Sequence, residues 1–344
     1  QAALDQIGAA ESAGTDFSLS VLADKFERGV ELLADNELHP AMPDDAFKTI
    51  QQQTAATVAG QLQSPGFLTE QALKKGLFPQ EDPTLRHATP DSVKSLTLAD
   101  VNDYYRKVFR PDLTTIVVIG RISPAEASRV IGKYFGDWKA TGPKPDVLLP
   151  SVPLNQPSVF AVPDARRVQD KVVLAETLEL NRSNPDYYAL ELGNHVLGGG
   201  FYATRLFHDL RETSGLVYSV SSDFEVKRTR GLYTVQYACD PSKVAEARTV
   251  VVRNLKRMQD EAVGDEDLQR AKALLLREIP LSESSVDSIA QGFLDRVELD
   301  LPLDEPTLAA KRYLKLGADD VKAAFTKWIR PDALVQITQG PAPQ

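Results

Sequence analysis

The chain has 344 residues, of which 42% are hydrophobic and 25% are charged, a composition typical of globular domains. Its net charge of −9 comes from interspersed acidic and basic residues, which argues against a nucleic-acid surface because phosphate contacts require clustered Lys and Arg. No apolar run approaches the roughly 18 residues of a membrane span, and no signal peptide is recognisable, so we expect a soluble chain without a membrane span.

The first predicted element is an amphipathic helix. Apolar residues recur every three or four positions and predict a helix that ends near His39 and Pro40. These residues are Leu19, Leu22, Phe26, Val30 and Leu33. A second helix is predicted over residues 44–62. The turn-forming residues Ser64, Pro65 and Gly66 that follow it are expected to stop it.

A helix, a strand and a further helix are predicted next. The helix covers residues 97–109, and the β-branched run from Thr114 to Ile119 indicates a buried strand. Ser123 followed by Pro124 is typical of a helix start, because Ser caps the N-terminus and Pro fits the first helical position. This signal predicts a helix over residues 124–135.

A proline-rich segment divides the chain. Five prolines between residues 139 and 157, with little periodicity, indicate a semi-rigid linker. We therefore predict three parts: the C-terminal part of a first domain over 1–140, a linker over 141–157, and a second domain over 158–344.

The second domain is predicted to combine a sheet with several helices. Strands are expected near 158–162 and 170–178, helices over 185–197 and 203–213, a hairpin of strands 216–226 and 231–238 around Lys227–Arg230, four further helices, and a last strand over 333–338. Partly segregated strands and helices indicate an α+β fold with a mixed, mainly antiparallel sheet packed on helices. The single cysteine, Cys239, excludes an internal disulfide and a cysteine-based zinc site, and it is typical of a small strand residue.

The chain contains an internal repeat. The segment 96–120 is echoed by 316–340, with eight of 25 positions identical, including Arg-Pro-Asp in both copies. This similarity at a fixed offset indicates a duplicated unit of about 220 residues. Because the first copy ends near Gly120 and too little chain precedes that point for a whole unit, we expect the first copy to be truncated.

The most specific local sequence is LGGGFYATRLFHDLRETSGLVYSV over residues 197–220. Its glycines are expected to tolerate positive φ where a helix closes, and Gly215 is expected to lead into a strand. The whole string resembles the second domain of the pitrilysin/insulinase family of zinc metallopeptidases, the inverzincins. The duplicated α+β unit, the linker and the Arg-Pro-Asp endings resemble that family too.

The resemblance implies a role for two residues. In the family, an Arg and a Tyr seven residues later reach the substrate from the domain that faces the zinc site, and these positions match Arg211 and Tyr218. A guanidinium and a phenol can bind substrate carbonyls and stabilise an oxyanion. The alternative to substrate binding, judged from the spacing alone, is that Arg211 is an ordinary surface residue and Tyr218 a half-buried strand residue.

The family's zinc motif, His-x-x-Glu-His, is absent from the chain. The third zinc ligand, a Glu, and an acidic residue seven positions earlier align with Gly60 and Gln53, and no Asp or Glu occurs from Ala46 to Thr69. The resemblance therefore implies that this chain carries no zinc, that it is inactive alone, and that zinc belongs to a missing or partner half.

Other candidates for chemistry have simpler interpretations. His195 lies on the helix equivalent to the metal helix but has no second His four residues away, so we interpret it as a helix-end or core residue. We interpret His208 as a surface residue. The glycines 198–200 lack the lysine spacing of a P-loop and any dinucleotide fingerprint, so phosphate binding is not predicted.

The resemblance supports one functional hypothesis and leaves two alternatives open. The hypothesis is a noncatalytic half that closes a peptide chamber and supplies Arg211 and Tyr218 to a zinc site elsewhere, with unfolded peptides as substrates. One alternative is an inactive subunit that pairs with a separate catalytic subunit, and the other is a purely structural or binding relative. By analogy with bacterial members we expect a periplasmic location, with the cytoplasm as the alternative.

Overall fold

A computed structural model describes residues 1–200 and 202–341, so Phe201 and residues 342–344 lie outside the described chain. The first half contains α1 (Ala2–Gln6), β1 (Ala10–Ala13), β2 (Phe17–Ser20), α2 (Phe26–Leu38), α3 (Asp44–Gln61), α4 (Pro65–Leu77), α5 (Pro90–Ser95), α6 (Leu98–Val108) and α7 (Pro124–Phe135). The second half contains β3 (Ser158–Pro163), β4 (Asp170–Leu178), α8 (Tyr187–Asn194), α9 (Arg205–Phe207), β5 (Val217–Val226), β6 (Gly231–Cys239), α10 (Val244–Asp260), α11 (Asp265–Ser282), α12 (Val286–Glu298), α13 (Glu305–Lys315), α14 (Ala318–Trp328) and β7 (Val335–Gly340). No described helix combines the length and apolarity that a bilayer span requires.

The chain packs as two units. The first comprises residues 1–58, 89–147 and 285–294. In it β1 and β2 form an antiparallel hairpin, and α2 packs against α7 around a small core. The buried members of that core are Val30, Ala34, Val130 and Phe135.

The second unit comprises residues 59–88, 148–284 and 295–344. It contains a five-stranded sheet in the order β3-β7-β4-β6-β5, in which only the β3 and β7 pair is parallel. The strands alternate their side chains between the two faces. Val172 and Leu174 of β4 therefore join the large core beneath α8, α10, α11 and α14, while Val173 and Ala175 face the opposite side. This architecture confirms the predicted α+β fold with a mixed, mainly antiparallel sheet.

Helix α4 covers the second face of this sheet. Leu77 of α4 packs with Val335 and Ile337 of β7. The helix approaches the sheet so closely that a Cβ on Gly76 would lie 2.5 Å from Cγ1 of Val335. A helix from the predicted first domain thus packs in the second unit, and the predicted domain limits, which follow the proline-rich linker, stay a prediction.

The internal repeat extends through a series of helices. Helix α3 begins at Asp44 and α11 at Asp265, while α6 begins at Leu98 and α14 at Ala318, so both pairs keep the offset of the repeat to within one position. A short 3₁₀ turn also precedes both α2 and α10. Helices α3 and α6 of the first copy can therefore be compared with their counterparts α11 and α14 in the second.

The predicted strand over 114–119 is wrong as an element of the described structure. Its residues form no strand, and none of Thr114–Ile119 is buried. A β-branched sequence supplies strand propensity, but a strand exists only when its backbone groups pair with a neighbour. The β7 segment at the equivalent position in the second unit does have such neighbours.

Several element limits also differ from the predictions. Leu19 lies in β2 rather than in a helix, and α2 begins only at Phe26, although it ends before His39 as predicted. Pro65 does not merely stop α3: it opens α4, with the Ser64 hydroxyl accepting the amide hydrogen of Phe67. Five helices, α10 to α14, follow the hairpin instead of four, whereas α7 is confirmed at its predicted limits.

The proline-rich linker has no helix or strand, and arginines anchor both of its ends. Arg110 of the first Arg-Pro-Asp donates to the carbonyl oxygens of Thr141, Gly142 and Pro143 at 2.9–3.3 Å. Arg330 of the second donates to the backbone and side-chain oxygens of Asn155 at 3.0 and 2.9 Å. The duplicated motif therefore has a structural role, since a guanidinium can satisfy several carbonyls that an irregular backbone leaves unpaired.

Candidate functional site

The segment over 197–220 forms a tightly packed turn followed by an exposed strand end. Helix α8 ends in a π-helical turn, His195–Gly199. Gly198 packs so closely in this turn that a Cβ added to it would lie 2.5 Å from the hydroxyl oxygen of Ser222. Close packing, not positive φ, explains the glycines here. Gly198–Gly200 do not adopt the positive φ that was expected where the helix closes, whereas Gly215, which leads into β5 as predicted, has φ +59°.

Arg211 and Tyr218 lie beside each other on this segment. Arg211 lies in the π-helical turn His208–Thr213, and its guanidinium carbon is 5.8 Å from the centre of the Tyr218 ring. Arg211 is exposed, and Tyr218 is 48% exposed. Nη1 of Arg211 donates to the carbonyl oxygen of Val217 at 3.2 Å, which holds the guanidinium next to the ring. Arg211 and Tyr218, which are seven residues apart in the sequence, therefore contact each other in the structure.

A β-bulge sets the direction of Tyr218. The pairing of β5 with β6 shifts between Val217 and Ser219, so Tyr218 is the extra residue of a bulge at the end of the strand. Bulges redirect side chains and are common beside functional sites. Here the bulge turns a large aromatic side chain toward solvent at the point where the sheet ends.

Two residues that the sequence analysis missed fix the phenol. The Tyr218 hydroxyl donates to Oδ1 of Asp240 at 2.9 Å, and Nζ of Lys243 lies 3.5 Å from Oδ2 of the same carboxylate. Lys243 also donates to the carbonyl oxygen of Gly215 at 3.2 Å. The signal that could have found Asp240 is the hairpin register with its bulge, because pairing of Val217 with Cys239 places Asp240 just beyond β6 and diagonally across from Tyr218.

The structure shows no zinc site at the positions aligned with the family's acidic ligands. Gln53 and Gly60 both lie exposed on α3, and a Cβ on Gly60 would meet no atom within 4 Å. Neither residue offers a carboxylate. Among the described residues, no group of three His, Cys, Asp or Glu side chains is positioned to hold a metal ion. The residues present therefore do not fit zinc.

His195 is a buried bridge between two helices. Its side chain is 7% exposed, Nδ1 lies 3.0 Å from the carbonyl oxygen of Glu191, and Nε2 lies 3.4 Å from the carboxylate of Glu278 on α11. The carboxylate of Glu191 is 3.3 Å from Nδ1 of His195. Burial raises the pKa of the Glu191 carboxyl, and the charge of His195 opposes that rise. The two carboxylates approach different ring nitrogens, so they do not converge on one point with the imidazole. His208, by contrast, is exposed beside Asp209.

These features define a class of protein: a duplicated α+β unit with an adjacent Arg211 and Tyr218 pair and without a carboxylate at Gln53 or Gly60, the positions aligned with the acidic ligands of the zinc metallopeptidases. The family described as "Peptidase M16 inactive domain" matches residues 95–275, more than half of the chain. The chain belongs to this family. The resemblance seen in the sequence is confirmed.

Individual relatives agree with this assignment. The chain is 22% identical over 264 residues to a probable inactive metalloprotease of Bacillus subtilis, covering 74% of this chain and 60% of the relative. It is 25% identical over 187 residues to an uncharacterized zinc protease of Mycobacterium leprae, covering 54% and 42% of the two chains. The chain thus spans less than two thirds of the length of these curated relatives.

Solved structures share the fold over almost the whole chain. A peptidase M16 inactive domain from Pseudomonas fluorescens aligns with a TM-score of 0.83 and 26% identity, covering 99% of this chain and 83% of that one. The periplasmic protease PqqL from Escherichia coli aligns with a TM-score of 0.80 and 17% identity, covering 98% and 38%. At 17% identity, the similarity to the Escherichia coli protein shows only that the two share a fold.

Proposed function

We propose that this chain is the noncatalytic part of a zinc metalloendopeptidase. It closes a peptide chamber and presents Arg211 and Tyr218 to the substrate, while a catalytic domain or subunit of the same family holds the zinc. Membership in the inactive-domain family and the lack of zinc ligands at Gln53 and Gly60 support this division of labour. The observation that carries the proposal is the exposed, mutually oriented Arg211 and Tyr218 pair.

The pair has the chemistry to bind an extended peptide. A guanidinium carries five N–H donors, and the only acceptor that Arg211 contacts among the described residues is the Val217 carbonyl. Its remaining donors can therefore bind peptide carbonyl oxygens without first breaking a protein contact. Asp240 and Lys243 hold the Tyr218 phenol in one orientation, so little side-chain freedom is lost when substrate binds.

The partner and the compartment are part of the proposal. The zinc motif belongs either to the same longer polypeptide or to a separate catalytic subunit, and unfolded peptides are the substrates that a closed chamber admits. We propose the periplasm as its location, by analogy with bacterial members of the family. The cytoplasm is the alternative.

Substitution of Arg211 tests the proposal. We expect Arg211→Ala, in a complex with a family segment that carries His-x-x-Glu-His, to lower kcat/KM for a quenched fluorescent peptide by about 10- to 100-fold. The zinc content of the complex should not change. Loss of a charge-assisted hydrogen bond to substrate accounts for this magnitude.

Arg228→Ala is the matched control, because Arg228 is an exposed arginine at the β5–β6 hairpin tip, where it pairs with Asp300. It removes the same charge away from the pair and should leave hydrolysis unchanged. Equal hydrolysis by both variants and the unsubstituted complex would contradict the proposal and favour a purely structural or binding role.

A further inference from the structure

The hydrogen bond between Tyr218 and Asp240 fixes the direction of the phenol proton. The Tyr218 hydroxyl oxygen lies 2.9 Å from Oδ1 of Asp240 and makes no other hydrogen bond within the described chain. An ionised carboxylate only accepts hydrogen bonds, so the phenol is the donor in this contact. A phenol has one hydrogen but also lone pairs that can accept. With its hydrogen directed at Asp240, Tyr218 has only acceptor capacity left for a ligand.

The Asp240 carboxylate is itself held in place by Lys243. The backbone N–H of Lys243 donates to the carbonyl oxygen of Asp240 at 2.9 Å, and Nζ lies 3.5 Å from Oδ2 of the same residue. Nζ also donates to the carbonyl oxygen of Gly215 at 3.2 Å. Hydrogen bonds to an ionised acceptor are roughly twice as strong as those between neutral groups. The phenol proton therefore stays on Asp240 in preference to a peptide carbonyl.

Arg211, beside the phenol, has the opposite hydrogen-bonding character. A guanidinium has five N–H donors and no acceptor. One of these donors binds the Val217 carbonyl oxygen at 3.2 Å, and the guanidinium carbon lies 5.8 Å from the centre of the Tyr218 ring. The exposed pair thus presents hydrogen-bond donors next to a hydrogen-bond acceptor.

A donor next to an acceptor matches one residue of an extended peptide. In an antiparallel sheet, a residue can give its own N–H and receive at its own C=O on the same side of the strand. Two side chains that offer one donor and one acceptor can satisfy both of these groups. Two donors, in contrast, would leave the N–H of such a residue without a partner, which costs free energy in a closed site.

We propose that Arg211 binds the C=O and Tyr218 the N–H of a single substrate residue, and that Asp240 is a positioning residue that keeps the phenol an acceptor. This assignment differs from the expectation that both side chains bind carbonyls. It rests on the proposed function, because it specifies which peptide groups the pair recognises. Proline, which has no N–H, is therefore excluded from this position of the substrate.

Peptides that lack one N–H test this assignment in the complex with the family segment that carries His-x-x-Glu-His. The probes are the quenched fluorescent peptide and a series in which an ester replaces one amide at a time, away from the cleaved bond. Each ester removes one N–H without adding bulk. We expect an ester at one position to lower kcat/KM by about 3- to 10-fold, because one neutral hydrogen bond, to the Tyr218 oxygen, is lost.

Three variants assign this loss to the phenol and its partner. Tyr218→Phe removes the acceptor, so it should lower hydrolysis of the all-amide peptide and abolish the further loss at that ester position alone. Asp240→Ala keeps the phenol but frees its proton, so the loss at that position should become smaller. Asp332→Ala is the matched control, because Asp332 is an exposed carboxylate that pairs with Lys256 at 2.8 Å, and it should leave the loss unchanged.

The outcomes distinguish this inference from the proposed function. Losses that Tyr218→Phe leaves unchanged at every ester position would show that the phenol accepts no substrate N–H, and would overturn the assignment. An unchanged loss in Asp240→Ala would overturn the positioning role of Asp240. Unchanged hydrolysis by Arg211→Ala would overturn the proposed function, whereas hydrolysis that depends on Arg211 but shows no ester position dependent on Tyr218 would overturn this inference alone.

Discussion

Glu176 on β4 is a fully buried acid at the base of the second Arg-Pro-Asp motif. Its carboxylate accepts the backbone N–H of Arg330 at 3.0 and 3.1 Å, and Nε of Arg330 lies 3.4 Å away. Burial raises the pKa of Glu176 to about 7, although the Arg330 backbone hydrogen bond and charge oppose that rise. The folded protein therefore holds a proton on Glu176 at pH values where the unfolded chain has lost it.

This pKa predicts a pH-dependent stability. Between pH 4.5 and about 7 the folded state binds more protons at Glu176 than the unfolded state, so the free energy of unfolding falls as pH rises. The slope from this group is at most about 1.4 kcal/mol per pH unit. We expect Glu176→Gln to remove that contribution in urea unfolding at pH 5 and pH 7.5.

Glu225→Gln is the control for the same measurement, because Glu225 is exposed on β5. It should keep the pH dependence of the unsubstituted protein. An identical pH dependence in Glu176→Gln and Glu225→Gln would show that Glu176 does not titrate in this range.

The residues of the candidate site were only partly predictable from the sequence. Arg211 and Tyr218 are close in the chain, so their spacing and the surrounding motif were sufficient to select them as a pair. Asp240 lies 22 residues beyond Tyr218, and only the β5–β6 register brings the two side chains together. Sequence analysis that predicts the hairpin without its bulge cannot find such a partner.

At the scale of elements, α4 shows how one signal can be interpreted in two ways. Ser64 followed by Pro65 ends the pattern of α3, but the same pair caps and opens a new helix, as Ser123 and Pro124 do for α7. The resulting helix packs on β3 and β7, and Gly76 permits its close approach. That packing joins residues far apart in sequence, so local periodicity does not show it.

Two glycines of α4 provide a test of this packing. A Cβ on Gly76 would lie 2.5 Å from Val335 and 2.9 Å from Phe160, so we expect Gly76→Ala to lower the free energy of unfolding by about 1–3 kcal/mol. Gly66→Ala in the same helix meets no atom within 4 Å and should be neutral within about 1 kcal/mol. Thermal unfolding followed by circular dichroism gives both values.

A stability of Gly76→Ala equal to that of Gly66→Ala would contradict the close approach of α4 to the sheet. The comparison is well matched because both substitutions remove the same backbone freedom from the unfolded chain. They differ in their surroundings, because a Cβ at Gly76 would meet Val335, Phe160 and Ser158, whereas one at Gly66 would meet no atom within 4 Å.

At the scale of the whole molecule, the internal repeat was the most informative part of the sequence. The identities between 96–120 and 316–340 correctly paired α6 with α14, and the second unit formed the predicted α+β fold. The repeat did not predict that 115–119 would lack strand neighbours in the described chain, because pairing depends on other strands and not on propensity.

The central claim is that this chain contributes to proteolysis without holding the catalytic zinc. Hydrolysis of a quenched fluorescent peptide, measured with zinc content for the chain alone and for its mixture with the family segment carrying His-x-x-Glu-His, tests that claim most directly. We expect the chain alone to bind no stoichiometric zinc and to hydrolyse no peptide, and the mixture to exceed the activity of the catalytic segment by itself. Zinc-dependent hydrolysis by the chain alone, or a verified complex no more active than the catalytic segment, would contradict the account.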